Sequence, residues 1–381
     1  MIINHTEILI VGSGIVGLAH ALACAKRGKK VLVIDKSLFP VGASIRNFGL
    51  IWPIGQPIGN RFERAMKSRA IWLDIIDKTG IYADKSGSLH VVHSPDESDI
   101  IEEYVQTLRE ARLDAMFLTP EKTKIMSPKV NGKALLGSMW SPYEITVNPR
   151  EAITSIAKYL QNTFEVQFEY GIQAVYVNEN TLICSDRIIH FDQAYFCTGE
   201  SFELFLPNYK IDNDLLRVKL QMMRTVPQPN SWKLGPAICG GLTLLHYDSF
   251  KHIPSLQQLK IRIEEEMPLY IKYGIHVLIS QHGNGELILG DSHEYGNTLD
   301  PFISEEINTL ILKEINRIYL IPELTIDQKW IGIYAKYPGF SEYVKKIHDN
   351  ITIVNGLGGA GMTLSFGLAE EVVSGTYRED N

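Results

Sequence analysis

The apolar run Ile8-Leu9-Ile10-Val11 has no polar alternation and breaks into Gly12-Ser13-Gly14-Ile15-Val16-Gly17, followed by the small-residue stretch Leu18-Ala19-His20-Ala21-Leu22-Ala23-Cys24-Ala25. Such a pattern predicts a buried strand, a glycine turn and a closely packed helix. A second run, Lys30-Val31-Leu32-Val33-Ile34, ends in Asp35. Far along the chain, Ile351-Thr352-Ile353-Val354-Asn355 enters Gly356-Leu357-Gly358-Gly359-Ala360-Gly361 and then a helical stretch, Met362 to Ser374. The order strand, glycine, helix therefore occurs at both ends.

Between these units the pattern predicts a helix over Arg61 to Lys78, a strand over Gly87 to Val92 and an exposed, charge-rich helix over Ser98 to Arg112. Thr119-Pro120-Glu121 signals a helix start, halted by Ser127-Pro128. Strand-like pieces follow around Ala134 to Trp140 and Glu144 to Val147, then a helix from Asn148-Pro149 to about Leu160. Short β-runs fill Val166 to Thr198 and end in Tyr195-Phe196-Cys197-Thr198-Gly199, a strand whose carboxyl end stops at glycine as it would beside a ligand. A separate block, about 213 to 325, carries strands near Arg217 to Thr225, Gly241 to Tyr247, Ile275 to Gln281 and Glu286 to Asp291. Its helices lie near Ser255 to Glu266 and Ser304 to Ile318, and Asn284-Gly285 suits an antiparallel hairpin.

Chemistry enters with the glycines. Gly12 permits the tight turn, Gly14 lets a pyrophosphate approach the backbone, and Gly17 lets the helix lie close on the strand, so that its free amides and positive dipole end face the phosphates. Asp35 stands eighteen positions beyond Gly17, where an acid accepts hydrogen bonds from ribose hydroxyls; a solvated strand end is the simpler reading of the same carboxylate. Together these features ask for an ADP moiety.

With 381 residues, 45% of them hydrophobic, the chain can bury a large core and form two domains. A net charge of -7 and no basic stripe exclude nucleic acid from the expected partners. Cys24, Cys184, Cys197 and Cys239 are far apart and form no CxxC pair, and no histidine spacing suits zinc, so they are read as reduced core thiols and no metal is expected. The first strand begins within ten residues of Met1 and the run Gly14 to Ala25 is too short to span a bilayer. The expectation is a cytoplasmic protein without a transmembrane segment, with peripheral membrane association left open.

If both glycine-helix units converge on one ligand, the first holds pyrophosphate and the second aims its amino end at an electron-rich ring, where its dipole would stabilise the negative charge of a reduced flavin. A nicotinamide gives the second unit no such task. The loop Phe39 to Gly49 ends in hydrogen-bonding side chains and can lie flat along a cofactor or close as a capped turn, and Leu50 to Gln56 resists regular structure and suggests a shaped wall.

On these residues the sequence resembles the D-amino acid oxidase, glycine oxidase and sarcosine oxidase family of FAD-dependent amine oxidoreductases. The resemblance runs through Gly12 to Gly17 with Asp35, Ser44 to Gly49, Gly87-Ser88-Leu89, Val147 to Arg150, Phe196 to Gly199, Trp330-Ile331-Gly332 and Gly358 to Thr363. It implies an α/β fold, α+β overall, with a Rossmann-like FAD-binding domain assembled from 1–80, 145–212 and 326–381. A substrate domain, 81–144 and 213–325, would roof the flavin with a large, mainly antiparallel sheet. The cofactor residues implied are Gly12, Ser13, Gly14, Ile15, Val16, Gly17, Asp35, Lys36, Ser44, Arg46, Asn47, Phe48, Gly49, Val175, Cys197, Thr198, Gly199, Gly358, Gly359, Ala360, Gly361, Met362 and Thr363. FAD is expected to be non-covalent, since no cysteine lies near the C-terminal glycines and no histidine between Asp35 and Gly49.

The implied reaction moves hydride from the carbon beside a neutral amine to flavin N5, leaving an imine that water hydrolyses, with oxygen or a membrane quinone as electron acceptor. One departure bears on the substrate. Relatives that oxidise amino acids carry an arginine where Tyr334 stands, and that arginine forks onto the substrate carboxylate. The stretch Arg46 to Gln56 looks like that of a subgroup associated with breakdown of aminophosphonates. An aminoalkylphosphonate, 2-aminoethylphosphonate or its N-methyl form, is thus the expected substrate; glycine, sarcosine or a D-amino acid is the alternative, and a flavin-binding subunit without turnover the second. Trp52 and Tyr334 are expected as pocket walls, Arg46 or Lys336 as the anion anchor, and His246 or His293 as minor polar contacts. Each of these also has an ordinary structural reading, as packed aromatic or strand residue.

Overall fold

In the computed structural model, which describes residues 2–202, 215–229 and 232–379, two large sheets set the frame. The first is eight-stranded and centred on Ile2–Val11, which pairs in parallel with Val31–Asp35 on one side and Arg187–Phe196 on the other. Gln167–Tyr170 extends it in parallel beyond Val31–Asp35, and Ile351–Asn355 pairs in parallel with the last residues of Arg187–Phe196. This register gathers the carboxyl ends Val11, Asp35, Phe196 and Asn355 along one edge, where α/β sheets bind ligands.

Two helices start at that edge. Ile15–Ala25 has ten buried residues and almost no polar face, which is why it packs between the sheet and the helix Gly361–Ser374 rather than on the surface. Two glycines make this packing possible. Gly12 has φ +108°, and a Cβ there would sit 2.3 Å from the Cys197 carbonyl oxygen; a Cβ on Gly17 would sit 1.8 Å from the Gly12 carbonyl oxygen.

The second sheet has nine strands. Leu216–Thr225 lies along its whole length against Ile326–Lys336, and its other edge meets Leu287–Gly290 and Glu294–Gly296. Leu278–Gln281 and Leu287–Gly290 form the hairpin predicted across Asn284-Gly285. All described pairings in this sheet are antiparallel except Ala237–Cys239 with Ser88–Val92. Helices Pro95–Glu110, Leu256–Glu266 and Glu305–Ile318 cover it and share its core. A small three-stranded sheet, Leu50–Ile51, Ile145–Val147 and Ala83–Asp84, ties the two halves together.

Four expectations differ from this structure. Gly241 to Tyr247 is not a strand: Gly241–Leu245 is a 3-10 turn followed by Asp248–Phe250, with the Thr243 hydroxyl donating to the Gly240 carbonyl at 2.6 Å. Its run Gly241-Leu242-Thr243-Leu244 is buried throughout, and a run buried on every side does not reveal its period. The helix placed at Ser98 to Arg112 spans Pro95–Glu110 and is amphipathic, with Ile100, Ile101, Tyr104, Val105 and Leu108 buried beneath its charges. The boundary at residue 326 falls before the strand Ile326–Lys336, which pairs with Leu216–Thr225 along its length and so belongs to the second sheet, with one bridge from Lys336 to Leu357. Val175 points outward, 51% exposed on the strand Ala174–Asn178. Residues 203–212, assigned to the first domain, lie outside the described residues.

The four cysteines are buried and unpaired, which agrees with their reading as core thiols. Among the described residues no helix is long and apolar enough to cross a membrane.

Candidate active site

A continuous cavity of about 390 Å3 runs from the edge of the first sheet to the face of the second, within the range of small-molecule sites. Its first part is backbone. Gly12, Ser13, Gly14, Ile15 and Val16 line it where the Ile15–Ala25 helix begins, so the amino end of that helix, whose first amides have no intrahelical partner, opens toward it. The Ile15 amide donates to the Ser44 hydroxyl at 2.9 Å, which fixes the next loop against the turn. Within that loop Asn47 donates to the Ala43 and Ser44 carbonyls and accepts from the Gly49 amide, a small network that holds Ser44, Arg46 and Phe48 on the cavity wall.

Asp35 also lines the cavity. One carboxylate oxygen accepts from both the amide and hydroxyl of Ser13 at 2.8 Å, and the other from the Ser37 amide at 2.8 Å. A carboxylate has about four lone-pair sites, so the Ser37-bonded oxygen keeps capacity for a further donor. Beside it, Lys36 donates to the Ser201 hydroxyl at 2.7 Å. Cys197, Thr198 and Gly199 form the adjoining wall, with the Cys197 amide bonded to the Val11 carbonyl and Asn355 holding the Gly199 carbonyl. Burial drives the Cys197 thiol well above its ordinary pKa, so it is an inert wall residue.

Gly358, Gly359, Ala360, Gly361, Met362 and Thr363 line the cavity from the opposite side, at the start of the Gly361–Ser374 helix. Two tryptophans clamp that start: Trp72 donates its indole N–H to the Met362 carbonyl at 2.8 Å, and the Trp52 amide donates to the Thr363 hydroxyl at 2.9 Å. Two helix amino ends thus converge on one space. Gly17 and Gly49 do not reach the cavity and act by allowing close packing beneath it; Val175 is replaced on the wall by its neighbours Ile172, Gln173 and Ala174.

The cavity continues under the second sheet, where Leu220, Met222, Leu278, Gly332, Tyr334 and Lys336 form its roof. Tyr334 is 8% exposed, and its hydroxyl lies 3.6 Å from the position a Cβ would take on Gly359, so the phenol faces the C-terminal glycine turn. Burial keeps that phenol protonated. Arg46 reaches up to donate to the Ile331 carbonyl at 3.1 Å. Lys336 is half-buried and pairs with no carboxylate among the described residues; burial lowers its pKa, partly offset by Asp248. Trp52 is buried with its indole N–H unpartnered, stacked against Tyr247 with 6.1 Å between ring centroids. All six residues named as pocket candidates, Trp52, Arg46, Tyr334, Lys336, His246 and His293, line this space.

The structure adds His276, Asp291 and Tyr247, which sequence pattern did not single out. His276 and Asp291 lie just outside the hairpin strands Leu278–Gln281 and Leu287–Gly290, and their backbones bond to each other. Extending the pairing from the Asn284-Gly285 turn would have brought them together. No metal was expected, yet His246, His276 and His293, distant in sequence, have ring nitrogens within 4.8 Å of one another.

Replacing Asp35 with alanine is expected to weaken FAD retention by about 1.5–3 kcal/mol, the range for a hydrogen bond to a charged group. Equilibrium titration of the apoprotein with FAD reads it, and an unchanged affinity would return Asp35 to the solvated strand end.

A family model described as FAD dependent oxidoreductase (DAO) matches residues 7–374. Among curated proteins, the chain is 21% identical over 159 residues to the mitochondrial sarcosine dehydrogenase of Homo sapiens, covering 41% of this chain and 17% of that protein. It is 23% identical over 178 residues to glycine oxidase of Geobacillus kaustophilus, covering 44% of this chain and 46% of that protein. Each match therefore spans less than half of the relative. Among solved structures, glycine oxidase from Bacillus cereus superimposes with a TM-score of 0.78 at 18% identity over 98% of this chain and 96% of that one, a likeness of fold.

Proposed function

The chain belongs to this family of FAD dependent oxidoreductases, and from that premise we propose that it oxidises a small amine whose anionic group is not an α-carboxylate. The proposed substrate is an aminoalkylphosphonate such as 2-aminoethylphosphonate or its N-methyl form. The observation that carries this reading is Tyr334, buried in the cavity roof and facing the C-terminal glycine turn. A neutral phenol offers one hydrogen bond where a bidentate carboxylate clamp needs a guanidinium.

The cavity fits FAD on its own chemistry. Two helix amino ends and the glycine turns beside them leave backbone amides open to an anionic, planar ligand, and a Cβ on Gly14 would come within 3.0 Å of the Ser44 hydroxyl, so side chains are kept out of the phosphate path. Asp35 would hold the ribose, Gly12 to Val16 the pyrophosphate, and Gly358 to Thr363 the ring. When bound, FAD supplies a two-electron acceptor for the carbon beside the amine.

The residues of the chain orient the substrate and exclude water. Trp52, Tyr247 and Tyr334 make aromatic walls, and Lys336 offers a cation unmatched by any described carboxylate. Arg46, whose guanidinium already donates to Ile331, is the weaker anchor. Oxidative deamination and N-demethylation share this geometry, since either carbon beside the nitrogen can face the ring. We place the enzyme in the cytoplasm with oxygen or a quinone as acceptor.

The steady-state test compares kcat/KM for 2-aminoethylphosphonate and its N-methyl form with glycine, sarcosine and D-alanine. The phosphonates are expected to be turned over faster. Faster turnover of glycine, sarcosine or D-alanine would restore the amino-acid reading.

A further inference from the structure

Under the second sheet, three imidazoles stand side by side. His246 and His276 stack with 3.8 Å between ring centroids and 28° between planes; His276 and His293 lie 5.0 Å apart at 20°, and His246 and His293 4.5 Å apart at 44°, so the three form a compact cluster. They come from different elements: the end of the Gly241–Leu245 turn, the segment before Leu278–Gln281 and the segment after Leu287–Gly290. All three line the cavity with Lys336.

Their hydrogen bonding is incomplete. His276 is 4% exposed, and both its ring nitrogens are buried without a hydrogen-bond partner. Its Nε2 lies 3.3 Å from an Asp291 carboxylate oxygen, but the two are not aligned as a hydrogen bond, and that oxygen is unpartnered too. His293 is fixed from behind, its Nδ1 3.0 Å from the Gly274 carbonyl. A buried donor left unpaired costs about 1–3 kcal/mol. Such a cost is removed when a ligand fills the space.

The ligand chemistry follows from charge and hydrogen-bond donors. Burial first, then His276 and His293, and then Lys336 and Lys251 hold the His246 pKa well below its ordinary value, and of the two ammonium groups Lys336 has no carboxylate partner among the described residues. Asp291, beside the His276 ring, has its pKa raised by burial, which disfavours its charged form. The phenols of Tyr247 and Tyr334 are neutral, and Asp248 is already paired with Arg61 and Lys251. The unpaired Lys336 ammonium in the cavity wall favours an anion over a divalent cation. The ring nitrogens of the three histidines lie within 4.8 Å of one another, so a divalent cation is the competing occupant that titration separates from an anion. A neutral imidazole has one N–H to give: His293 directs its Nδ1 at the Gly274 carbonyl, whereas His276 has both ring nitrogens unpartnered and His246 stacks on it, so these two rings, beside the Lys336 ammonium, can donate to the oxygens of a tetrahedral oxyanion.

We propose that His246 and His276, in the cluster completed by His293 and beside the Lys336 ammonium, form the subsite that receives the tetrahedral oxyanion of the substrate. This rests on the proposed function for its biological ligand, but the subsite is testable without turnover. Methylphosphonate carries the oxyanion and no amine to oxidise.

The experiment is titration of the FAD-loaded protein with methylphosphonate and, separately, acetate, read by calorimetry and by the flavin absorbance change. Wild type is expected to bind methylphosphonate at least tenfold more tightly than acetate. His246→Leu and His276→Leu are expected to lose at least tenfold in methylphosphonate affinity while His246→Gln, which keeps a donor, loses less. Flavin content and unfolding midpoint check that each variant folds; if His276→Leu does not, the His246 pair decides alone. Equal binding of the two anions, or methylphosphonate affinity indifferent to the His246 substitutions, overturns the subsite even when aminophosphonates prove to be substrates. Selective binding without aminophosphonate turnover supports the subsite and overturns the proposed function instead. Stoichiometric Zn2+ uptake that requires the three histidines and precedes anion binding would replace direct imidazole contact with a metal site.

Discussion

Replacing Gly17 with alanine is expected to destabilise the protein by about 3 kcal/mol or more and to strip it of FAD, although the change adds one methyl group. A Cβ at Gly17 would sit 1.8 Å from the Gly12 carbonyl oxygen and 3.2 Å from Ile10. Neither the strand Ile2–Val11 nor the helix Ile15–Ala25 can give way cheaply, since the first is the centre of the parallel sheet and the second is buried on nearly every side. The helix must move off the strand and carry its amino-end amides with it. Urea unfolding and the ratio of flavin to protein absorbance read the two consequences. Gly42→Ala is the control: a Cβ there meets nothing within 4 Å, and its stability should change by less than about 0.5 kcal/mol. A Gly17→Ala protein with wild-type midpoint and flavin content would remove the close-packing account of the turn.

Replacing Lys336 with methionine is expected to lower kcat/KM for aminoalkylphosphonates by the equivalent of about 2–5 kcal/mol, because the anion is left buried without its cation. Methionine keeps the length and apolar stem, so the roof strand Ile326–Lys336 retains its packing. An amine of similar size without an anion, propylamine, reports the background rate and should change little. Arg46→Met should cost the phosphonates less, since that guanidinium already donates to the Ile331 carbonyl. Equal losses on propylamine and the phosphonates would assign Lys336 to the fold rather than to the anion.

The parts of the site made of backbone were legible in the sequence. Gly12 at φ +108° and Gly17 against the Gly12 carbonyl admit no other residue cheaply, so the geometry is written directly into residue type. Asp35 at a strand end and the run Gly358 to Gly361 before a helix carry the same kind of signal. The histidine cluster was not legible, because His246, His276 and His293 are brought together only by the second sheet and the turn Gly241–Leu245. That segment is a turn where the sequence pattern predicts a strand, as its buried residues leave no exposed face to set a period. Val175 failed for a related reason: alternation on the strand Ala174–Asn178 turns Ala174 inward and Val175 outward, and a shift of one residue exchanges the faces. The pairing of Ile326–Lys336 with Leu216–Thr225 depends on contacts across more than a hundred residues, which local pattern does not encode.

The cavity between the two sheets is proposed to bind FAD and to deliver to it an amine whose anion is not an α-carboxylate. Anaerobic mixing of the FAD-loaded protein with a panel of amines, followed by flavin absorbance, tests this without regard to the electron acceptor. The expected result is that 2-aminoethylphosphonate or its N-methyl form bleaches the flavin faster than glycine, sarcosine or D-alanine. Bleaching by none of the panel would leave a flavin-binding subunit without amine turnover, and preferential bleaching by an α-amino acid would contradict the role given to Tyr334.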